Sequence, residues 1–442
     1  MNEIHSRLAA MGTKIPEILL PRNGVDLSKW AVIACDQFTQ DKSYWEQVKN
    51  LVGSPPSCLN LIFPEVYLED GSDNARGLRI REIRKSMDSY LRGNVFAPLR
   101  RSCVYLERST PWHPKRRGIV LSIDLEQYDW APESRPLIRS TEGTVKERLP
   151  PRMEIRRGAP LELPHILLLI DDEEDRLIPS LGELARKHLP LYETSLMMKA
   201  GAVAGWALDT KEAWTVLAEG LEALAGKAPG RYGTGVSSGT GSSSSGAAPF
   251  LFAVGDGNHS LAAAKAVWEE YKKAHAGEAG LMNHPARWAL VEVENLYDPG
   301  ISFEPIHRVI FGAESAELLE ALSILKNIAC RQEAPGSRII RIQNLSPAIA
   351  TAELQPLLDS FVKQKSYTID YIHGEDEVRR LTSGAMLPPE PARKAVGLIL
   401  PPVQKEGLFK TVAQTGPLPR KSFSMGEAEE KRFYLECRRL FG

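Results

Sequence analysis

The chain is short of cysteine and has none at metal or redox spacing. Five cysteines occur in 442 residues, at positions 35, 58, 103, 330 and 437, with no Cys-x-x-Cys pair. That pattern fits reduced thiols in a cytoplasmic protein and argues against a zinc site built mainly of thiolates. An excess of one charge is lacking too: 55 Lys and Arg stand against 56 Asp and Glu. No global field draws the chain to nucleic acid or to a membrane surface. Aromatic residues make up 7%, and no basic stripe is interleaved with them, which counts against a nucleic-acid partner. No apolar run approaches the roughly 20 residues of a membrane span, and residues 1–14 carry no signal-peptide core. The expectation is a cytoplasmic protein with no membrane partner. Several catalytic signatures are missing as well: a Walker-type phosphate loop, a GxGxxG after a strand, an HExxH and a GxSxG. Their absence removes the commonest nucleotide, zinc-protease and esterase readings.

What is present is ordinary globular composition, 43% hydrophobic and 25% charged. The length suits about two or three domains with ample core. Strand patterns over 30–35, 58–63, 103–108, 118–125 and 165–170 alternate irregularly with helix patterns over 43–51 and 75–91. Residues 103–108 and 118–125 read as a hairpin pair. In the last third a helix is expected over 315–328, strands over 338–342 and 395–400, and a charged helix over 426–440. The mixture predicts an α/β or α+β fold, with mixed sheets and flanking helices. Three regions are drawn: 1–135, a core over 136–312 and 313–442. Within the core, residues 228–249 are rich in Gly and Ser and read as a flexible loop.

The most informative segment is Gly255-Asp256-Gly257-Asn258-His259-Ser260. An apolar strand pattern, 250–254, precedes it and a strong helix former, 261–270, follows. Such a turn aims backbone N–H groups and the positive end of a helix at an anion, so a phosphate or carboxylate site is expected. Ordinary turn and cap chemistry, with Asn258 or Ser260 capping the helix, explains the same residues.

Four other segments concentrate polar groups. Arg139-Ser-Thr-Glu142-Gly-Thr144, followed by Arg148, joins a strand over 136–138 to a polar helix. It offers an anion clamp beside a general base or metal ligand, or simply a capped helix. Glu304-Pro-Ile-His307-Arg308 enters a strand and offers an anion clamp or proton shuttle, although His307 alone suits a structural role. Asp36 stands at the end of a strand, where open α/β sheets place active groups. Residues 418–423 put Arg420, Lys421 and Ser422 in a loop. The acidic run 171–175 reads as a solvated turn, because adjacent carboxylates point apart and magnesium needs few, well-placed ones.

Taken together, these segments resemble the bacterial and archaeal family named domain of unknown function 1015. That family carries Arg-x-His-Glu-x-Thr, Asp-Gly-His-His-Arg and Pro-Thr-His-Arg segments in that order. Here Arg139 to Thr144, Asp256 to Ser260 and Pro305 to Arg308 match them in order, and Asp36 and the Pro419 to Ser422 run are similar to an early acid and a late Pro-x-Lys-Ser. The resemblance covers nearly the whole chain. Thr141, Asn258 and Ser260 depart from it, and Ser260 replaces an arginine. If that arginine binds phosphate in relatives, this chain must supply the charge elsewhere, and Arg139, Arg308, Lys265 and Lys421 are candidates.

The Asp-Gly-x-His turn is also similar to the phosphate-binding turn of the ParB/sulfiredoxin-like superfamily, which includes partition proteins, sulfiredoxins and a free-serine kinase. Relatives encoded beside serine-biosynthesis genes imply an amino acid such as serine as substrate. The resemblance therefore implies a ParB/sulfiredoxin-like core and a phosphoryl-transfer enzyme using ATP or ADP with magnesium. His259, Glu142, Asp36 and His307 are its candidate catalytic groups. Arg139, Thr144, Arg148, Gly255, Asp256, Gly257, Asn258, Ser260, Arg308, Lys421 and Ser422 are its candidate substrate or phosphate contacts; no metal ligand set is assigned. A non-catalytic nucleotide- or metabolite-binding regulator is the alternative, and a ParB-like nucleic-acid-associated protein a third.

Overall fold

The computed structural model describes residues 2–39, 41–68, 73–98, 100–232, 249–343, 353–383, 394–401, 404–419 and 421–441. It is a mixed α/β structure, with mixed sheets and flanking helices, in two compact units. The first unit takes Met1–Ser140, Thr144–Ile301 and Glu427–Gly442, and the second takes Thr141–Gly143 and Ser302–Gly426. The boundary drawn at 135/136 falls inside the first unit and that at 312/313 inside the second.

The first unit is built on a ten-stranded mixed sheet. Its central strands include Cys103–Ser109, Arg116–Asp124, Trp288–Asn295, Leu167–Ile170 and Phe252–Asp256. The hairpin of Cys103–Ser109 and Arg116–Asp124 forms as expected, in antiparallel register. Leu167–Ile170 pairs parallel to Trp288–Asn295 on one side and antiparallel to Phe252–Asp256 on the other. Leu167, Leu168, Leu169 and Ile170 are all buried, so both faces of this strand are covered, which is why it reads as an unbroken apolar run. Lys211–Tyr232 buries Ala213, Trp214, Leu217, Ala218, Leu221, Ala225 and Ala228, the spacing of one helix face.

The second unit holds a six-stranded sheet around Phe303–Phe311. Neighbouring residues serve opposite faces: Ile310, Ile340 and Val396 pack with the helices Ser315–Leu322 and Gln355–Lys365, whereas Val309, Ile339 and Ala395 pack with Glu375–Thr382. That is the period-two alternation of a strand.

Several expectations fail for identifiable reasons. Residues 58–63 do not form a strand; Cys58–Leu61 is a 3-10 turn started by the Ser57 side chain, which accepts the Leu59 N–H. The strand expected over 30–35 is reduced to Val32–Ile33, because Leu27–Trp30 is helical with Asp26 as its cap. The helix at 315 ends at Leu322 rather than 328. The loop expected from 228 begins later, since helix continues to Tyr232; residues 233–248 lie outside the described residues.

The largest failure is the C-terminal helix. Residues 426–440 form a short 3-10 turn, Ala428–Glu430, and two short strands, Phe433–Tyr434 and Arg438–Arg439. Their charges look like an exposed helix face in the sequence, but Glu430, Lys431, Arg432, Glu436 and Arg438 are buried. Arg432 pairs with Glu292 and, at 2.5 Å, with Glu436; Arg438 pairs with Glu162. Arg108 and Arg116 donate to the backbone carbonyl of Glu430, and Arg108 also to that of Lys431. Burial pushes the Glu294 carboxyl well above the carboxylate range, although Arg116 lies 2.8 Å away. Among the described residues no helix is long and apolar enough to cross a membrane.

Candidate functional site

The hexapeptide forms the strand-to-helix turn its sequence predicts. Strand Phe252–Asp256 ends in Gly257, which has φ +81°, and helix Asn258–Ala274 begins at once. A Cβ on Gly257 would sit 3.1 Å from Ile166, so both the dihedral and the space require glycine. The N-cap position is Gly257 itself, which has no side chain to cap the helix. Asn258 and Ser260 lie inside the helix rather than before it, so neither is its N-cap, the role their sequence allowed.

Charged and polar groups of the first unit gather around the turn. Asp256 accepts the Gly257 N–H at 2.9 Å and pairs with the Lys431 ammonium at 3.1 Å. Burial opposes the charged carboxylate, but Lys431 and the Gly257 N–H outweigh it and hold Asp256 below the usual carboxylate range. His165 is the hub. Its Nε2 lies 2.8 Å from Ser260 Oγ, its Nδ1 lies 2.9 Å from the Tyr434 hydroxyl, and Nε2 is 3.9 Å from Asp36 Oδ2. The Cys35 N–H donates to the Tyr434 oxygen at 3.2 Å. On the far side of Asp36, Glu65 is paired with Arg152 and its N–H donates to the Cys35 carbonyl at 2.7 Å. Burial pushes the Glu65 carboxyl up to about 7; Arg152 opposes this and the nearby Asp36 adds to it.

His259 Nε2 accepts the Val145 N–H at 3.2 Å, which ties the first motif to the second. Thr144 Oγ1 and Asn258 Oδ1 are buried without a hydrogen-bond partner among the described residues. Buried polar atoms are rarely left unmatched, so these two are candidates for contact with a ligand or a water.

The other candidates are placed as follows. Arg139 is buried, its guanidinium 4.6 Å from the Phe250 ring centroid and its Nε donating to the Pro136 carbonyl. Burial lowers it to about 10. The Arg148 carbonyl accepts from Arg152 at the start of helix Leu149–Arg156. Lys265 is engaged by Glu269 at 2.6 Å. In the second unit, His307 is buried in its strand and its Nδ1 accepts the Leu400 N–H at 3.2 Å. Arg308 donates to Gln355 Oε1 at 3.1 Å and lies 4.6 Å from the Tyr371 ring centroid. Glu142 accepts the Ser422 N–H at 3.1 Å, which joins the first motif to the late Pro-x-Lys-Ser loop. Lys421 is exposed at φ +59°; Arg420 lies outside the described residues. The acids of 171–175 have structural partners: Asp171 with Arg231 and Tyr232, Asp172 with the N–H groups of Arg176 and Leu177, and Asp175 with Arg117.

Sequence reasoning missed His165, Lys431, Tyr434 and Glu65. His165 stands directly before an apolar strand, and that position was the available signal. Lys431 and Tyr434 were hidden in the segment read as a helix.

The fold and turn thus define a mixed α/β protein whose strand–turn–helix is lined by a lysine, two histidines and two acids. Residues 19–391 match the family model described as "Protein of unknown function (DUF1015)", and the chain belongs to that family. No curated protein matches it. Among solved structures, a conserved hypothetical protein from Pyrococcus furiosus is 10% identical, with 73% of this chain and 95% of that chain covered, at a TM-score of 0.32. Two structures of a free serine kinase in complex with AMP are each 10% identical, with 71% of this chain and 90% of theirs covered, at a TM-score of 0.34. Likeness at that level decides nothing about this chain's ligand.

Proposed function

We propose that the protein is a nucleotide-dependent phosphoryl-transfer enzyme acting on a small molecule, with its phosphate site at the turn Gly255 to Ser260. The observation that carries this reading is the Lys431 ammonium, 3.1 Å from Asp256 beside a helix start whose N-cap is a glycine. A helix N-terminus and a fixed ammonium together favour an anion. Lys431 supplies the charge that the family pattern assigns to an arginine at the position of Ser260.

Thr144 and Asn258 offer unclaimed polar atoms to the same ligand. Asp36 and Glu65 are the acids positioned to accept a proton, and Glu65 is tuned near neutrality, where a general base works best. ATP or ADP with magnesium is the proposed donor. Among the described residues no group of three or more His, Cys, Asp or Glu is placed to hold a metal, so nucleotide phosphates and water would supply much of the ion's shell. The family resemblance points to an amino acid such as serine as acceptor. No step of the reaction is assigned to Glu142, Arg308 and Ser422 of the second unit.

Incubation with ATP, magnesium and serine, followed by phosphorus NMR, tests the reading. Turnover that disappears in both His259→Ala and Lys431→Met supports it, and full turnover in both overturns it. Saturable binding with no product over hours would replace it with a non-catalytic regulator.

A further inference from the structure

We infer that Ser260 is a phosphoryl acceptor: His165 takes its hydroxyl proton, and the side chain carries a phosphoryl group as phosphoserine during or between turnovers. The inference rests on the phosphate site proposed above. It also concerns a position where this chain departs from its family's pattern, since a serine stands where that pattern has an arginine.

The geometry is that of a nucleophile and its base. Ser260 Oγ lies 2.8 Å from His165 Nε2, within hydrogen-bond reach. Tyr434 holds the other ring nitrogen: its oxygen accepts the Cys35 N–H at 3.2 Å and lies 2.9 Å from His165 Nδ1. In the tautomer that places the ring proton on Nδ1, the Tyr434 oxygen accepts it and Nε2 presents a lone pair to the Ser260 hydroxyl; the proposed step uses that tautomer. Asp36 Oδ2, 3.9 Å from Nε2, stabilises the imidazolium that forms on proton transfer. This is a base oriented by a third group, with a carboxylate at hand for its charged state.

Ser260 is also well placed to keep the group it receives. It lies in the first turn of a 17-residue helix, where backbone N–H groups and the helix dipole favour a phosphorylated side chain. It is half-buried rather than enclosed, so a donor can reach it. Lys431 pairs at 3.1 Å with Asp256, which ends the strand directly before the turn that leads to Ser260. In the step, Ser260 Oγ forms a bond to the terminal phosphorus of a phosphoanhydride. The bridging P–O bond breaks, and the leaving phosphate keeps its electron pair. The Oγ proton moves to His165 Nε2.

The full-length protein is incubated with magnesium and ATP, and separately with pyrophosphate, then analysed by intact mass and peptide mass spectrometry. Thermal unfolding is recorded with the same compounds. The expected result is one added phosphoryl group located on Ser260, absent in Ser260→Ala and formed at least about a hundredfold more slowly in His165→Gln. Ser260→Thr, which keeps a hydroxyl and the helix start, is expected to label slowly. Labelling at another residue, or undiminished labelling in Ser260→Ala, would overturn the inference. A thermal shift with no label would overturn it while leaving the phosphate site standing. Neither shift nor label would remove both.

Discussion

Lys431 holds Asp256 across 3.1 Å, and the two residues stand 175 positions apart in the chain. The pair joins a C-terminal segment, fixed by buried arginines and glutamates, to the turn that opens the helix at Asn258. Lys431→Met should therefore act on stability and on ligand together. A stability loss on the order of 2–4 kcal/mol is expected, below that of a wholly buried pair because Asp256 keeps 24% side-chain exposure. Denaturant unfolding measures it. Lys431→Arg should restore most of the stability.

Gly257→Ala should cost about 1–3 kcal/mol, because alanine at φ +81° is strained and its Cβ meets Ile166 at 3.1 Å. The same variant should lose the ligand response, since relief of the strain moves the helix start. A Tm equal to that of the native protein would show that the turn has no such constraint.

Arg432 is 4% exposed and is shared between Glu292 and Glu436. Arg432→Leu leaves both carboxylates without their partner, and a loss of about 3–5 kcal/mol is expected. Lys431 and Tyr434 flank this anchor. Proteolysis within residues 427–442 should accelerate in the variant, and native-like protection there would contradict the anchoring role.

Glu65 and Asp256 respond to pH in opposite directions. The Glu65 carboxyl is raised from 4.5 to about 7 in the folded protein, so between those values the native state holds a proton that the unfolded chain has released. Its contribution to stability therefore falls as pH rises through that window, by on the order of 3 kcal/mol, and is level above it. Asp256 is lowered, so its contribution is present above the ordinary carboxylate range and is lost as pH falls through its folded value. Comparing unfolding free energies at pH 4.5 and 7.5 for native protein and Glu65→Gln isolates the first effect. The variant should decline less toward pH 7.5, and identical slopes would rule out the buried Glu65 proton.

Much of the frame was legible in the sequence. The hairpin at 103–124, the helices at 42 and 73 and the turn at Gly257 follow from apolar period and turn chemistry, which are local. What escaped was set by distant partners. Arg432, Glu436 and Arg438 look like solvent-facing charges until Glu292 and Glu162 are brought to them. His165 looks like a lone histidine before a strand until Ser260 and Tyr434 meet its two nitrogens. The first motif was read as one unit, yet Glu142 is bound to the Ser422 loop whereas Val145 donates to His259.

The most direct measurement is thermal unfolding against ATP, ADP, CTP, pyrophosphate, serine and phosphoserine with magnesium, with Asp256→Ala and Lys431→Met alongside. A ligand at a hundred times its dissociation constant stabilises by about 2.7 kcal/mol, a readily visible shift. The account predicts a shift with at least one phosphate compound in the native protein and none in either variant. An unchanged Tm with every phosphate compound, or a native-sized shift in both variants, would contradict a phosphate site at the turn.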